Sequence, residues 1–372
     1  MYSVRAISQN QFSRMQVEWD ALLERSDADP LFMSWSWQAS WWEVWGSELG
    51  LQLLLLGVYD QESQLVALAP LYFNSFATPV GWRVKRLHVV GNAWKLGPTV
   101  RTEYIGFITD VRHKAPALVA LASYLKREAW DELILADTSR QAMDEWEPEL
   151  KKHVDVSRLV RSEAEGVAID TSVEYSGWLA ELGKNTRLKA FNRRAVFEGD
   201  LQGEWRAWTD AESFLELLNE FHQERWGKAC FDGHAVHFHR LLLSRLSGNQ
   251  QARLSVLNSR GKVLSVLYDI RAGSRVYNLQ AGFAEEFHPK ISLGTLHLGY
   301  AIEQAFSDPA VLEYDLLAGA GKNTFYKSHF KGRMVPFTTV EYVRSPLLKM
   351  AYGARGYLPQ RLVTSVNRFF RL

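Results

Sequence analysis

Two stretches of the chain alternate between apolar runs and polar breaks in the same way. Residues 53–60, a polar break at 61–64 and residues 65–71 read as two apolar strands joined by a turn. Farther along, residues 254–258 and 263–268 repeat that layout around Ser259-Arg260-Gly261-Lys262. Two segments of helical periodicity precede each hairpin, 11–25 and 35–45 in the first half and 211–226 and 236–246 in the second. A strand, a helix and a strand follow each, at 86–90, 115–127 and 133–136, and again at 275–283, 295–306 and 312–315. The same order occurring twice is most economically a duplication. The expected fold is mixed α/β, with two tandem domains over 1–165 and 166–345 and a basic tail over 346–372. The division is placed in the polar stretch Ser162-Glu163-Ala164-Glu165-Gly166.

A length of 372 residues suits two cores rather than one. A formal charge of +1 argues against a DNA partner, because a phosphate backbone calls for a strong basic excess. The single cysteine, Cys230, has no intrachain disulfide partner. Residues 1–16 lack the apolar run of a signal peptide, and 51–59 is too short to span a bilayer, so cytoplasmic residence is expected.

The second half carries the more informative loops. Strand 275–283 is followed by a polar loop, 284–290, and then Ile291-Ser292-Leu293-Gly294-Thr295-Leu296 opens a helix. Backbone N–H groups at such a start can seat a phosphate or pyrophosphate, and a plain N-cap explains the same residues. Strand 311–317 runs into Ala318-Gly319-Ala320-Gly321, and Phe325-Tyr326-Lys327 follows. Open α/β sheets bind ligands at strand ends. There the Tyr326 phenol, protonated at neutral pH, can give a proton to a leaving thiolate, and Lys327 can hold a phosphate or the substrate. The alternative is an aromatic packing contact beside a solvated lysine.

Other clusters are weaker. Cys230, His234, His237 and His239 carry zinc-type donors, but His237 and His239 stand two apart at a helix start, on different faces, so no metal site is expected. His222 and Arg225, three apart, share a face and are candidates for the acceptor side. Lys184, Arg187, Lys189, Arg193 and Arg194 form a basic run that either steers an anion or covers a solvated helix face. Trp37, Trp41 and Trp45 recur at helical spacing and read as core. From Arg344 to the end the chain has Lys349, Arg355, Arg361, Arg368 and Arg371 and no acid, a pattern that suits either a peripheral membrane contact or a helix docked on its own domain.

Taken together, Gln280-Ala281-Gly282-Phe283, Ser292-Leu293-Gly294 and Asp315-Leu316-Leu317-Ala318-Gly319 leading to Phe325-Tyr326-Lys327 resemble the GNAT acyltransferase superfamily. The likeness is to its double-GNAT, CelD-like branch, found with bacterial polysaccharide synthesis and related to the FemAB transferases. Phe221-His222 with Arg225-Trp226-Gly227 adds to it, while Gly321-Lys322-Asn323-Thr324 lengthens the loop before Tyr326 relative to the family pattern. The resemblance implies two domains, each a mostly antiparallel sheet flanked by helices. It implies direct transfer from acyl-CoA to an amine or hydroxyl of a sugar or polysaccharide precursor, without a metal. The donor's phosphates would lie on Ser292, Leu293, Gly294 and Thr295 with Lys327, and its thioester along Gln280. Tyr326 would be the acid, Asp315 or His288 the base, and His222, Arg225, Trp226 and Tyr277 would face the acceptor. A FemAB-like transfer from aminoacyl-tRNA, or a catalytically degenerate scaffold, are the alternatives the resemblance leaves.

Overall fold

The computed structural model describes residues 2–78, 81–319 and 326–355. Its described residues divide into two compact units, 2–163 with 336–355, and 164–335. The segment 336–345, expected with the second domain, falls in the first unit.

The first unit contains strands β1 (Ser3–Ile7), β2 (Gln52–Tyr59), β3 (Leu65–Ala77), β4 (Arg83–Val89), β5 (Ile108–Thr109) and β6 (Glu132–Ser139). Strands β1, β2, β3 and β4 pair antiparallel in that order, and β4 then pairs parallel with β6 through the crossover helix Lys114–Arg127. A late strand, 333–343, returns to pair antiparallel with β6 from Phe337 to Val343. Helices Lys114–Arg127 and Arg140–His153 bury Leu121, Leu125, Trp146 and Leu150 against Leu56, Leu71 and Leu135. Helix Trp35–Trp45 starts where the Ser34 side chain accepts the N–H of Trp37 at 3.2 Å, a standard N-cap. Its tryptophan stripe is core, with Trp37, Trp41 and Trp45 each at most 2% exposed. The expected helix over 11–25 is two pieces, Gln9–Phe12 and Gln16–Leu23. A capping box of Ser8 and Gln11 fixes the start of the first.

The second unit repeats this order. Strand β7 (Ser157–Asp170) leads into it, followed by β8 (Gly203–Trp208), β9 (Gln250–Ser259), β10 (Lys262–Ala272), β11 (Arg275–Phe283) and β12 (Glu313–Gly319). Strands β8 to β11 are antiparallel neighbours, β11 pairs parallel with β12, and β12 pairs antiparallel with β7. The β9–β10 hairpin turns on Arg260 and Gly261 at φ 50° and 78°. Two positive φ angles in a two-residue loop match the right-handed twist of the strands, and glycine accepts one without a Cβ penalty.

Helices Ala211–Trp226 and Gly233–Arg245 lie on one face of this sheet, each capped by an aspartate, Asp210 or Asp232. Helix Leu293–Ser307 lies on the other, burying Leu298, Ile302 and Ala305 against Val276, Tyr314 and Leu316. Burying a leucine or isoleucine side chain contributes about 1.5–3 kcal/mol. This helix also meets the basic segment 184–200, which is helical and partly π-wound. Gly299 allows the contact, because a Cβ there would stand 2.2 Å from the carbonyl oxygen of Ala190. Arg194 is fastened in the same interface by Glu303 and lies 3.9 Å over the ring of Tyr300, so this part of the basic run is structural.

Candidate active site

Strands β11 and β12 are paired only from Arg275–Glu313 to Tyr277–Asp315. Beyond Tyr277, β11 continues to Phe283 along β10 alone, and β12 continues to Gly319 beside β7. A bulge in β11 accompanies the parting: Tyr268 pairs with Gln280 and Asp269 with Asn278, leaving Leu279 extra. Past the bulge, Ala281 makes side-chain contacts on its backbone groups. Its N–H goes to Gln280 Oε1 at 3.0 Å, and its C=O receives His222 Nε2 at 3.0 Å. The carbonyl fixes His222 as an Nε2–H donor, and burial lowers its pKa, keeping the ring neutral. His222, expected on the acceptor side, therefore braces the proposed donor strand.

The end of β11 delivers the chain to the start of helix Leu293–Ser307. Ser292 occupies the N-cap position, but its Oγ lies 3.0 Å from Thr295 Oγ1 and caps no N–H. Among the described residues, no acceptor takes the N–H groups of Leu293, Gly294 and Thr295. The plain N-cap alternative therefore does not describe this helix start. A cavity of about 310 Å³ opens beside it, lined by Lys189, Arg225, Phe283, Glu285, Lys290 and Ser292. Arg225 is held between the rings of Trp226 and Phe283, 4.5 and 4.6 Å away, and lies 3.6 Å from Glu285. Lys189 and Lys290 have no carboxylate partner among the described residues. Open N–H groups, the positive end of a helix dipole and these cations together make an anion seat. Glycine is required at 294, where a Cβ would lie 2.6 Å from the Phe283 ring.

Tyr326 comes to the same place. Its hydroxyl hydrogen-bonds the Thr295 side chain, and burial pushes its pKa up to about 12, so the phenol keeps its proton at neutral pH. The residue as a whole is 37% exposed, with its hydroxyl end the buried part. Lys327 donates to the carbonyl oxygens of Leu317 and Ala318 at 3.1 and 3.0 Å and is not among the residues lining the cavity. Asp315 has no exposed surface, and its Oδ1 accepts the N–H of Leu317 at 2.7 Å, supporting that residue's φ of 58°. Tyr277 is also fully buried. His288 stands between the lining residues Phe287 and Pro289 without lining the cavity itself, its Nδ1 accepting the N–H of Lys290 at 3.3 Å. Gly321 to Thr324, the long loop before Tyr326, lies outside the described residues.

Residue-by-residue reading missed Asp269. It is wholly buried behind the bulge, where Asn278 Nδ2 and Tyr314 Oη each donate to it at 2.7 Å, tying β10, β11 and β12 together where two of them part. Burial raises its pKa to about 7. It also overlooked Lys189 and Lys290 as a pair, because they are distant in sequence and meet only around the helix start. The zinc-type cluster takes other partners. Cys230 donates to Asn219 Oδ1 at 3.3 Å, with its thiol pushed up to about 12 by burial, while His239 Nδ1 lies 3.2 Å from Tyr268 Oη.

The first unit fills the corresponding gap with its own chain. β4 and β6 likewise pair only from Arg86–Glu132 to His88–Ile134. There β4 stops at Val89, and β5 takes the vacated edge of β3 through Leu68–Ile108 and Ala67–Thr109. Arg101 closes on the Asp137 carboxylate with two 2.8 Å bonds, and the N–H of Ile105 reaches the Asp137 carbonyl at 3.4 Å.

Residues 184–328 match the family model described as an acetyltransferase (GNAT) domain. No curated protein matches the chain. Among solved structures, FemX superposes with a TM-score of 0.64 at 14% identity, covering 94% of this chain and 99% of FemX. The structure of L-PGS from Bacillus licheniformis gives 0.51 at 11% identity, covering 96% and 97%. A conserved protein of unknown function from Bacteroides thetaiotaomicron gives 0.51 at 13%, covering 92% and 100%. These likenesses concern the fold, and they extend over both units. The parted strands and the open helix start thus lie inside the segment of the second unit that matches an acetyltransferase (GNAT) domain, within a whole-chain fold similar to that of FemX.

Proposed function

We propose that this protein transfers an acyl group from acyl-CoA to an amine or hydroxyl of a sugar or polysaccharide precursor, in the manner of the CelD-like branch. The observation that carries the reading is the coincidence of three features at the C-terminal end of β11. These are an unpaired strand edge, helix N–H groups without acceptors, and a cavity lined by Lys189, Arg225 and Lys290. The pyrophosphate would take the N–H groups of Leu293 to Thr295, with the three cations around it. The thioester would lie along the edge of β11 beyond the bulge, where backbone N–H groups can stabilise the oxyanion.

In this reading the acceptor's nitrogen or oxygen attacks the thioester carbonyl and the tetrahedral intermediate expels the thiolate. Tyr326 gives that thiolate its proton. The acceptor's own proton leaves to water or to His288, the base candidate in the loop between Phe287 and Pro289, while buried Asp315 holds the Leu317 turn. Cys230 has no covalent role.

Calorimetry with CoA and short acyl-CoA esters tests the donor. Tyr326→Phe is expected to lower kcat about 10²–10⁴-fold with little change in KM, the usual worth of a positioned general acid. A wild-type protein that binds no CoA would sink this reading. The second reading, transfer from aminoacyl-tRNA, draws support from the chain-long likeness to FemX. It predicts instead that aminoacyl-tRNA binds, and that replacing Lys189 weakens it.

A further inference from the structure

The last described helix, Pro346–Arg355, presents an apolar pair to solvent on an otherwise well-anchored element. Leu348 on its inner side is fully buried with Val84 and Val343. Tyr352 donates its hydroxyl to Glu132 and lies 3.3 Å from Glu341, acids that also hold Arg86 and Arg161. Lys349 pairs with Asp155 at 2.8 Å. Leu347 and Met350, three apart on the outer side, are nonetheless 55% and 66% exposed. Such side chains on a frayed end need no explanation, but on a helix fastened at three points they are held outward.

Beside the N-terminal end of this helix lies a cleft of about 470 Å³, lined by Lys126, His153, Arg344 and Pro346 with Asp131 and Asp155. Asp155 is neutralised by Lys349, whereas Asp131 accepts the backbone N–H of Lys85 at 2.9 Å and keeps its charge, so Lys126 and Arg344 leave the cleft cationic by about one charge. Arg344 directs its guanidinium to the carbonyl oxygens of Glu128 and Lys126, so its charge meets no carboxylate among the described residues. Lys126 is likewise without one. The sequence beyond the helix adds Arg361, Arg368 and Arg371 and no acid.

We infer that this edge of the first unit is a docking surface for an anionic phospholipid membrane, with Leu347 and Met350 entering the acyl boundary and the Lys126–Arg344 cleft taking lipid phosphates. Charge decides the occupant. One apolar pair gives weak attachment to any bilayer, and paired with a cationic surface it gives the two signals that peripheral attachment requires. An apolar protein partner would leave the cleft's charge without a counterpart.

Co-flotation of the full chain with phosphatidylcholine vesicles containing phosphatidylglycerol tests this. The protein is expected to rise with these vesicles and not with pure phosphatidylcholine. Leu347→Asp combined with Met350→Asp should lower the bound fraction at least tenfold, and Lys126→Glu severalfold, with melting temperatures and CoA binding unchanged. Three results would overturn the inference: no flotation with anionic vesicles, equal flotation with neutral ones, or wild-type flotation of the double variant. A lowered melting temperature for the double variant would also overturn it, because the chain itself would then be packing on that face.

Discussion

Asp269 offers the sharpest test of the geometry behind the parted strands. Its folded pKa of about 7 stands above the ordinary aspartate value of 3.8, so between those values the folded protein holds a proton that the unfolded chain has released. Stability from this group is therefore greatest in acid and is lost as pH rises through 7. With those two pKa values, linkage gives a contribution at pH 5 about 2.6 kcal/mol larger than at pH 8. A unit of this size shifts its Tm by about 2–4 °C per kcal/mol, so the effect is roughly 5–10 °C.

The wild-type curve alone would hide the effect. His239 and His297 are buried with pKa values lowered to about 3, so each loses stability as pH falls through the ordinary histidine value of 6.5. At pH 5 each costs about 2 kcal/mol relative to pH 8, in the opposite direction. The informative quantity is the difference between wild type and Asp269→Asn. An asparagine can keep both hydrogen bonds, accepting from Asn278 and donating to the Tyr314 oxygen, and it does not titrate. Urea or thermal unfolding of both proteins from pH 5 to pH 8 should show wild type gaining on the variant by about 2.6 kcal/mol toward acid. A difference that is flat in pH, or that grows toward alkali, would mean Asp269 is ionised in the fold and would refute the reasoning.

Three further outcomes are expected. Gly299→Ala would drive a methyl into the backbone of Ala190, 2.2 Å from its oxygen, and overpacking of this kind costs about 1–3 kcal/mol; a scanning calorimeter should see the melting temperature fall, and an unchanged value would show that segment 184–200 moves freely. Lys189→Ala and Arg225→Ala should each raise the Kd for CoA about tenfold, with a shallower salt dependence in titration calorimetry, because each removes one cation from the anion seat. Cys230, whose thiol is pushed up to about 12, should resist a disulfide reagent at pH 8 until urea is added, and Cys230→Ser should retain activity; labelling in the native state or loss of turnover would contradict its packing role.

Much of the fold was legible because local signals carried it. Helix Trp35–Trp45 and strand Arg275–Phe283 lie where periodicity and punctuation put them, and Ser34, Asp210 and Asp232 mark helix starts by chemistry confined to a few residues. The repeated order of elements was readable for the same reason. What escaped depends on partners far along the chain. Nothing within 333–343 says that it pairs with β6 about two hundred residues earlier, since strand partners are chosen by tertiary context. At the site, the glycine-bearing helix start and Tyr326 could be picked out as residue types in order. Which side chains face the cavity could not: Lys327 is drawn to two strand-end carbonyls, and His222 reaches the Ala281 carbonyl from helix Ala211–Trp226. Lys189 belongs to a run that reads equally as a solvated face until the π-wound segment sets it beside the cavity.

The return of strand 333–343 to β6 makes the first unit discontinuous: its sheet is begun by residues 1–139 and completed only after all of the second unit has been synthesised. During synthesis β6 must wait with one edge open while the second unit, a continuous segment, can close on itself. An apparent boundary near residue 163 is therefore a poor place to cut. A fragment ending there leaves β6 an unpaired, largely apolar edge of the kind that recruits other strands, and expression of the first unit alone should give aggregates. Supplying 333–355 to that fragment through a short linker should restore a soluble unit, whereas the second unit can be excised as a single piece.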